Sequence, residues 1–216
     1  MNDPKDVYIT SAPIFGLRRA VVEDPYTEPM LEVYGKFGRD RIFVYNAFNL
    51  REIKKTREDV GYGNWSAKER LDADEEASVA SSKSSADDLS RSIGQAHSHP
   101  YPDELEPSED DLGAIKERID ERKVNEWLEI IMRHRVVKPI GVHTYYMMCN
   151  GHPKLVIYNQ KRRISSMRHG FGLEIDFSAH YIFRMSEDGE LQVKELPLHF
   201  DPKFVDRYVT VLPLHS

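Results

Sequence analysis

The chain has 216 residues, a formal net charge of −6 and a single cysteine, Cys149. That length suffices for one sizeable core, while one cysteine excludes an intrachain disulfide and a cysteine-built zinc knuckle. The acidic balance argues against nonspecific binding to a phosphate backbone. The start, Met1-Asn2-Asp3-Pro4-Lys5-Asp6, has no apolar signal core, and no apolar run approaches membrane-spanning length. A cytoplasmic protein of one domain, residues 1–216, is the expectation, with neither nucleic acid nor membrane as partner.

In chain order, Val7-Tyr8-Ile9 predicts an opening strand, and Ile14, Leu17 and Val21 share one face of a helix that Pro25 ends. A segment around Glu32 follows, then a strand over Arg41–Phe48. Gly61-Tyr62-Gly63-Asn64 reads as a turn. Between Ser66 and Ser90 the large aliphatics are Leu71, Val79 and Leu89, and the serines compete for backbone groups. This polar insertion, at about 56–91, reads as a mobile loop or an exposed helix. After it come a helix from about Glu109, with Leu112, Ile115 and Ile119 on one face, and a second helical stretch carrying Val124, Leu128 and Ile131. Ile140–Cys149, Lys154–Tyr158 and Leu173–Met185 read as strands, and Cys149 as a small core residue. Asp188-Gly189 is a hairpin signal joining His180–Arg184 to Leu191-Gln192-Val193. Lys161-Arg162-Arg163 with Arg168 reads as a solvated loop. The mixed order of strands and helices indicates a sheet with helices packed on it, an α/β or α+β sandwich.

The chemistry-bearing stretch is Ala96-His97-Ser98-His99-Pro100, followed by Pro107-Ser108-Glu109-Asp110-Asp111. On a strand, residues i and i+2 point to the same face, so His97 and His99 can offer both imidazoles to one metal. A hydrolytic zinc takes three N/O ligands and keeps a fourth position for water. An aspartate from the next element would complete the set. Ser108 reads as a helix N-cap with Asp111 at the third helical position, a variant of the capping box. The other histidines, His134, His143, His152, His169, His180 and His199, have no partner at comparable spacing. His143 and His180 read as core or near-core side chains. Asp103, Glu104 and Glu106 read as a solvated rim, although Glu106 could reach the metal if its loop folds inward.

His97-Ser98-His99-Pro100 with Ser108-x-x-Asp111 resembles the signature of the JAMM (JAB, or MPN-plus) metallopeptidases. The upstream glutamate that this family uses has a counterpart in Glu32-Val33-Tyr34-Gly35, with Gly38 close behind. The resemblance covers roughly Val7 to Pro197. It implies a curved mixed β-sheet flanked by helices, a JAB/MPN-like sandwich related to the cytidine-deaminase fold. It also implies a zinc cofactor on His97, His99 and Asp111, Glu32 as general base, and Ser108 as donor to an oxyanion. The expected activity is that of a zinc isopeptidase cleaving after the C-terminal tail of ubiquitin or a ubiquitin-like protein. Processing of a sulfur-carrier protein, or a non-catalytic MPN-type scaffold, is the alternative. One departure stands out: the loop Tyr101–Pro107 is one residue longer than the family's usual spacing. Either Asp111 is the third ligand, or Asp110 is and the serine register is broken. The local physics favours Asp111, because an extra loop residue costs little whereas a one-residue helix shift turns every side chain by about 100°. In the family, a segment before the HSHP strand and one after the SxxD helix clamp the substrate tail. Ser66–Arg91 and Arg162–Gly172, with Gly170-Phe171-Gly172, stand at those places.

Overall fold

The computed structural model describes residues 3–23, 28–49, 52–55, 60–62, 91–100, 105–137, 144–149, 152–160, 171–186, 189–208 and 210–211. Pro25, the stretch from Ser66 to Ser90, Gly63-Asn64, Asp103, Glu104, Ile140 to His143, Lys161 to Gly170 and Asp188 lie outside them, as do the side chains of Cys149 and Phe171.

The elements are β1 (Asp6–Ile9), α1 (Ser11–Glu23), β2 (Met30–Phe37), β3 (Arg41–Asn49), β4 (Glu52–Lys55), β5 (Val60–Tyr62), β6 (Arg91–Pro100), α2 (Glu109–Arg122), β7 (Glu126–Val137), β8 (Thr144–Cys149), β9 (His152–Gln160), β10 (Phe171–Phe183), β11 (Gln192–Leu196), β12 (Leu198–Phe200), α3 (Pro202–Tyr208) and β13 (Thr210–Val211). Eleven strands form one mixed sheet in the order β12-β1-β3-β2-β6-β7-β10-β9-β8-β13, with β11 on β10, and β4 pairs with β5 apart from it. The architecture is therefore mixed α/β and dominated by sheet.

Alternation decides the two faces. On one, Ala96, Leu128, Ile130, Met132, Ile175 and Phe177 meet Ile14, Leu17 and Val21 of α1 and Phe204 of α3 in the main core. On the other, Trp127 and Ile182 meet Ile115 and Ile119 of α2. Side chains two apart on a strand share a face, so α1 and α2 cover opposite faces. The hairpin after β10 pairs Phe183 with Gln192, as its turn signal predicts.

Three expectations need correction. The stretch with Val124, Leu128 and Ile131 is not a helix: Val124 precedes β7, and Leu128 and Ile131 lie in it, a strand buried on both faces from Trp127 to Met132. A central strand reads as a continuous apolar run, and its every-third-or-fourth spacing then imitates a helix. Gly61 and Tyr62 pair with β4 rather than turning. Phe171 and Gly172 belong to β10, opposite Gln160 and Val137 respectively, so the strand begins where a covering loop was expected.

Close backbone packing explains two glycines near Glu32 and His97. A Cβ on Gly35 would lie 1.9 Å from the Phe43 carbonyl oxygen, and one on Gly94 would lie 1.8 Å from that of Leu128. Both flank irregularities in the β2 pairings. The glycine that follows Glu32 by three residues is thus demanded by the sheet itself.

Candidate metal centre

β6 and β7 run parallel with α2 as the crossover between them. In such a unit the carboxyl end of the first strand and the amino end of the helix meet, which is where open α/β sheets bind ligands. His97 and His99 stand at that end of β6. The loop to α2 is tied down by the buried side chains of Ser178, whose Oγ donates to the Leu105 carbonyl at 2.7 Å, and His180, whose Nε2 lies 2.8 Å from the same oxygen. Burial holds the His180 pKa below its ordinary value, consistent with a neutral ring that donates one hydrogen bond.

Ser108 caps α2. Its Oγ accepts from the Asp111 N–H at 3.1 Å, and its own N–H donates to Asp111 Oδ2 at 2.8 Å, a complete capping box. The reciprocal bonds fix Asp111 and leave Oδ1 3.5 Å from His97 Nε2, while Oδ2 lies 3.8 Å from His99 Nε2. The two Nε2 atoms are 2.8 Å apart. Ring nitrogens at that distance repel unless a proton or a cation lies between them. The ligand atoms of His97, His99 and Asp111 all lie within 4.8 Å of one another. A tetrahedral zinc, with ligand distances of about 2.0–2.1 Å, separates its ligand atoms by roughly 3.4 Å; the three observed separations fall on either side of that value. The donor set of two imidazoles and one carboxylate therefore fits zinc.

His97 is held from behind by a residue that sequence reasoning missed. Its Nδ1 meets Glu129 Oε1 at 2.6 Å, and Glu129 Oε2 accepts from Trp127 Nε1 at 3.2 Å. A carboxylate on Nδ1–H turns the lone pair of Nε2 toward the metal position. Glu129 is fully buried, and burial raises its pKa although His97, Gln95 and Trp127 work against the rise. Burial also acts to lower the His97 pKa, but the hydrogen bonds and charges of Asp111 and Glu129 outweigh it and hold the value at about 10. For Asp111, burial is opposed and overcome by His97 and Ser108, which hold its carboxyl well below the usual range. A glutamate inside the apolar run Trp127–Met132 was the available signal, since such residues are rarely buried without a partner.

Asp110 is exposed and stands outside this group, and so does Glu106. The Ser108 hydroxyl also donates to Asp111 Oδ2 at 2.7 Å, so its proton points at the ligand carboxylate and not into open space. Glu32 sits on the same face of the sheet. Met30 pairs opposite His97 and Glu32 opposite Gln95, so Glu32 is one step along β2 from the His97 row. Its Oε1 accepts from Ser92 Oγ at 2.5 Å and from Arg122 Nη2 at 2.6 Å. Of the remaining histidines, His134 is buried on β7, His152 lies 3.4 Å from Glu195, and His199 lies 3.9 Å from Asp6.

No protein-family model and no curated protein matches the chain. Among solved structures it is similar to the solution structure of protein DSY2949 from Desulfitobacterium hafniense, at 13% identity over 90% of this chain and 92% of that one, with a TM-score of 0.46. Among the described residues no helix is long and apolar enough to cross a membrane.

Proposed function

We propose that this chain is a zinc-dependent hydrolase of the JAMM type, with a JAB/MPN-like sandwich, that cleaves the bond after the C-terminal tail of a ubiquitin-like protein. The observation that carries the reading is the convergence of His97 Nε2, His99 Nε2 and Asp111 on one point, with His97 turned there by buried Glu129. Zinc held by these residues would lower the pKa of water toward neutrality and polarise a scissile carbonyl. Glu32 supplies the proton-transfer group: both of its hydrogen bonds engage Oε1, which leaves Oε2 to take a proton and return it to the leaving amine. Ser108 becomes the oxyanion donor once its hydroxyl rotates away from Asp111 Oδ2. A tail ending in Gly-Gly suits a narrow approach beside the metal, because residues without side chains permit close backbone contact. Trimming of a sulfur-carrier protein uses the same tail chemistry and is one arm of the test. The engagement of Glu32 by Arg122 and of Ser108 by Asp111 favours a second reading, a metal-free interaction module, which the same experiment separates.

The experiment measures bound zinc and cleavage of ubiquitin-like and sulfur-carrier fusions ending in Gly-Gly or in Ala-Leu. The expected result is one zinc per chain, lost in His97→Ala, with turnover on Gly-Gly tails. Glu32→Gln should keep zinc and lower turnover by about 10²–10⁴-fold. Zinc-free wild-type protein after loading would leave the interaction module. Equal rates on both tails would leave a general zinc peptidase.

A further inference from the structure

We infer that Arg122 is a positioning residue that braces the general base and a metal ligand from one point, an inference that rests on the hydrolase reading above. Its guanidinium closes a triangle with Ser92 and Glu32. Arg122 Nη1 donates to Ser92 Oγ at 2.5 Å, Arg122 Nη2 donates to Glu32 Oε1 at 2.6 Å, and Ser92 Oγ donates to the same Oε1 at 2.5 Å. The guanidinium carbon also lies over the Trp127 ring, 5.3 Å from its centroid. Trp127 Nε1 in turn donates to Glu129, which holds His97. A continuous path of contacts therefore runs Glu32–Arg122–Trp127–Glu129–His97 across β2, α2, β7 and β6.

The helix explains why one residue can serve both ends. Asp111 lies in the first turn of α2 and Arg122 closes the helix. Eleven residues are three turns, so the two side chains leave the same face of the helix about 16 Å apart along its axis. Asp111 reaches the imidazoles from one end, and Arg122 reaches Glu32 from the other. Glu32 lies on a strand whose pairing shifts between Val33 and Tyr34, so backbone register alone does not fix its carboxylate. A planar guanidinium with two donors aimed at Glu32 and Ser92 does. Both contacts fall on Oε1, so the brace orients the carboxylate and leaves its second oxygen for chemistry.

The test uses the zinc-loaded full chain and a ubiquitin-like fusion ending in Gly-Gly. Arg122→Met should keep one zinc per chain and a KM within about twofold, and lower kcat by about 10- to 100-fold, the scale expected when a catalytic group is displaced by roughly an ångström. Arg122→Lys, which restores the charge without the planar fork, should recover part of that kcat. Ser92→Ala removes one side of the triangle without touching α2 and should lower kcat in the same direction by less. This second variant keeps the inference open to refutation should Arg122→Met fail to fold. A rise in kcat for either variant would mean that the triangle restrains Glu32 instead of positioning it and would overturn the inference. So would unchanged kcat in an active enzyme, or equal losses in the Met and Lys variants. Wild-type protein that neither binds zinc nor cleaves the fusion would instead bring down the hydrolase reading itself.

Discussion

Two aspartates in this fold are each bonded to a serine at the start of a helix, and the two sites do different things. Asp201, at the β12–β1 end of the sheet, accepts from Ser11 Oγ at 2.8 Å, from Tyr8 Oη at 3.2 Å and from the Lys203 N–H at 3.0 Å. Asp111, near the middle of the sheet, accepts twice from Ser108 and otherwise faces two imidazoles. Both carboxyls are held below the usual range against the effect of burial, Asp201 by hydroxyls and an amide, Asp111 chiefly by His97. The first has its acceptors filled by donors that belong to the fold, and it locks α1 to α3. The second keeps Oδ1 turned toward His97 Nε2 and Oδ2 toward His99 Nε2, at 3.5 Å and 3.8 Å. Residue types are the same but the settings differ: Ser108 and Asp111 are three residues apart in one capping box, Ser11 and Asp201 are 190 apart, and what arrives from the neighbouring strand separates a tie from a candidate site.

The comparison breaks if the two aspartates respond alike. Asp111→Asn should weaken zinc binding by at least roughly a hundredfold, about 2.7 kcal/mol, whereas Asp110→Asn and Asp201→Asn should leave it within twofold. Asp201→Asn should instead cost about 1 kcal/mol of stability, read as a Tm lower by roughly 2–4 °C. Zinc titration by competition with a chromophoric chelator, beside thermal melts, gives both columns. A comparable zinc loss in Asp201→Asn would show that the tie at the sheet's end also shapes the metal centre.

Acid–base behaviour sharpens the same contrast. The His97 pKa of about 10 in the metal-free protein lies above the ordinary value of about 6.5. A group whose folded pKa is raised stabilises the fold fully below its unfolded pKa and loses that contribution as pH rises through the folded one. The metal-free protein should therefore lose stability between about pH 6.5 and pH 10 on this account. Asp111, depressed, stays ionised throughout that window. Zinc must displace the Nε2 proton, so its apparent affinity should rise by about tenfold per pH unit across the window. The Tm gain on zinc loading then grows with pH, and a gain that shrinks would contradict the assigned proton. Glu129→Gln, which weakens the hold on Nδ1, should lower zinc affinity by about 10- to 100-fold and flatten the pH dependence of the metal-free melt.

Much of the site could be read from sequence because its parts are local. His97 and His99 depend only on the two-residue period of a strand, and Ser108 with Asp111 only on the geometry of one helical turn. The opening strand, α1 and the hairpin after β10 are equally local, resting on Val7–Ile9, on Ile14, Leu17 and Val21, and on Gly189. What escaped was non-local. Glu129 lies 32 residues from His97, and Arg122 lies 90 from Glu32. Arg122 looks like an ordinary solvated charge, and Glu129 shows only as a glutamate among apolar neighbours, until parallel pairing of β6 with β7 and the packing of α2 bring the partners together. The same cause hid β7: Ile130-Ile131 and Val136-Val137 favour a strand, but only neighbours on both sides and helices on both faces explain why Trp127 to Met132 are all buried.

The smallest expected effect concerns another arginine–carboxylate pair. Arg41 grips Asp6 through Nε at 2.5 Å and Nη2 at 2.7 Å, a two-point fork, whereas Arg122 gives Glu32 one N–H and Ser92 the other. The Arg41 side chain is 44% exposed, against 24% for Arg122, and nothing catalytic lies beside it. The hydrogen bond from Arg41 holds the Asp6 carboxyl below its ordinary range against the opposing effect of burial. Stability from a depressed carboxyl is present above the unfolded pKa of about 3.9 and is lost as pH falls through the folded value. Solvent screening limits such pairs to about 0–1 kcal/mol. Arg41→Met should therefore lower the Tm by a few degrees at most at pH 7, by less still near pH 3, and leave zinc content and turnover unchanged. Arg122→Met, with the same chemistry removed, should spare zinc content and lower kcat. If the Arg41 variant lost activity to a similar degree, the brace on Glu32 would owe its effect to the general rigidity of the sheet and not to its position beside the base.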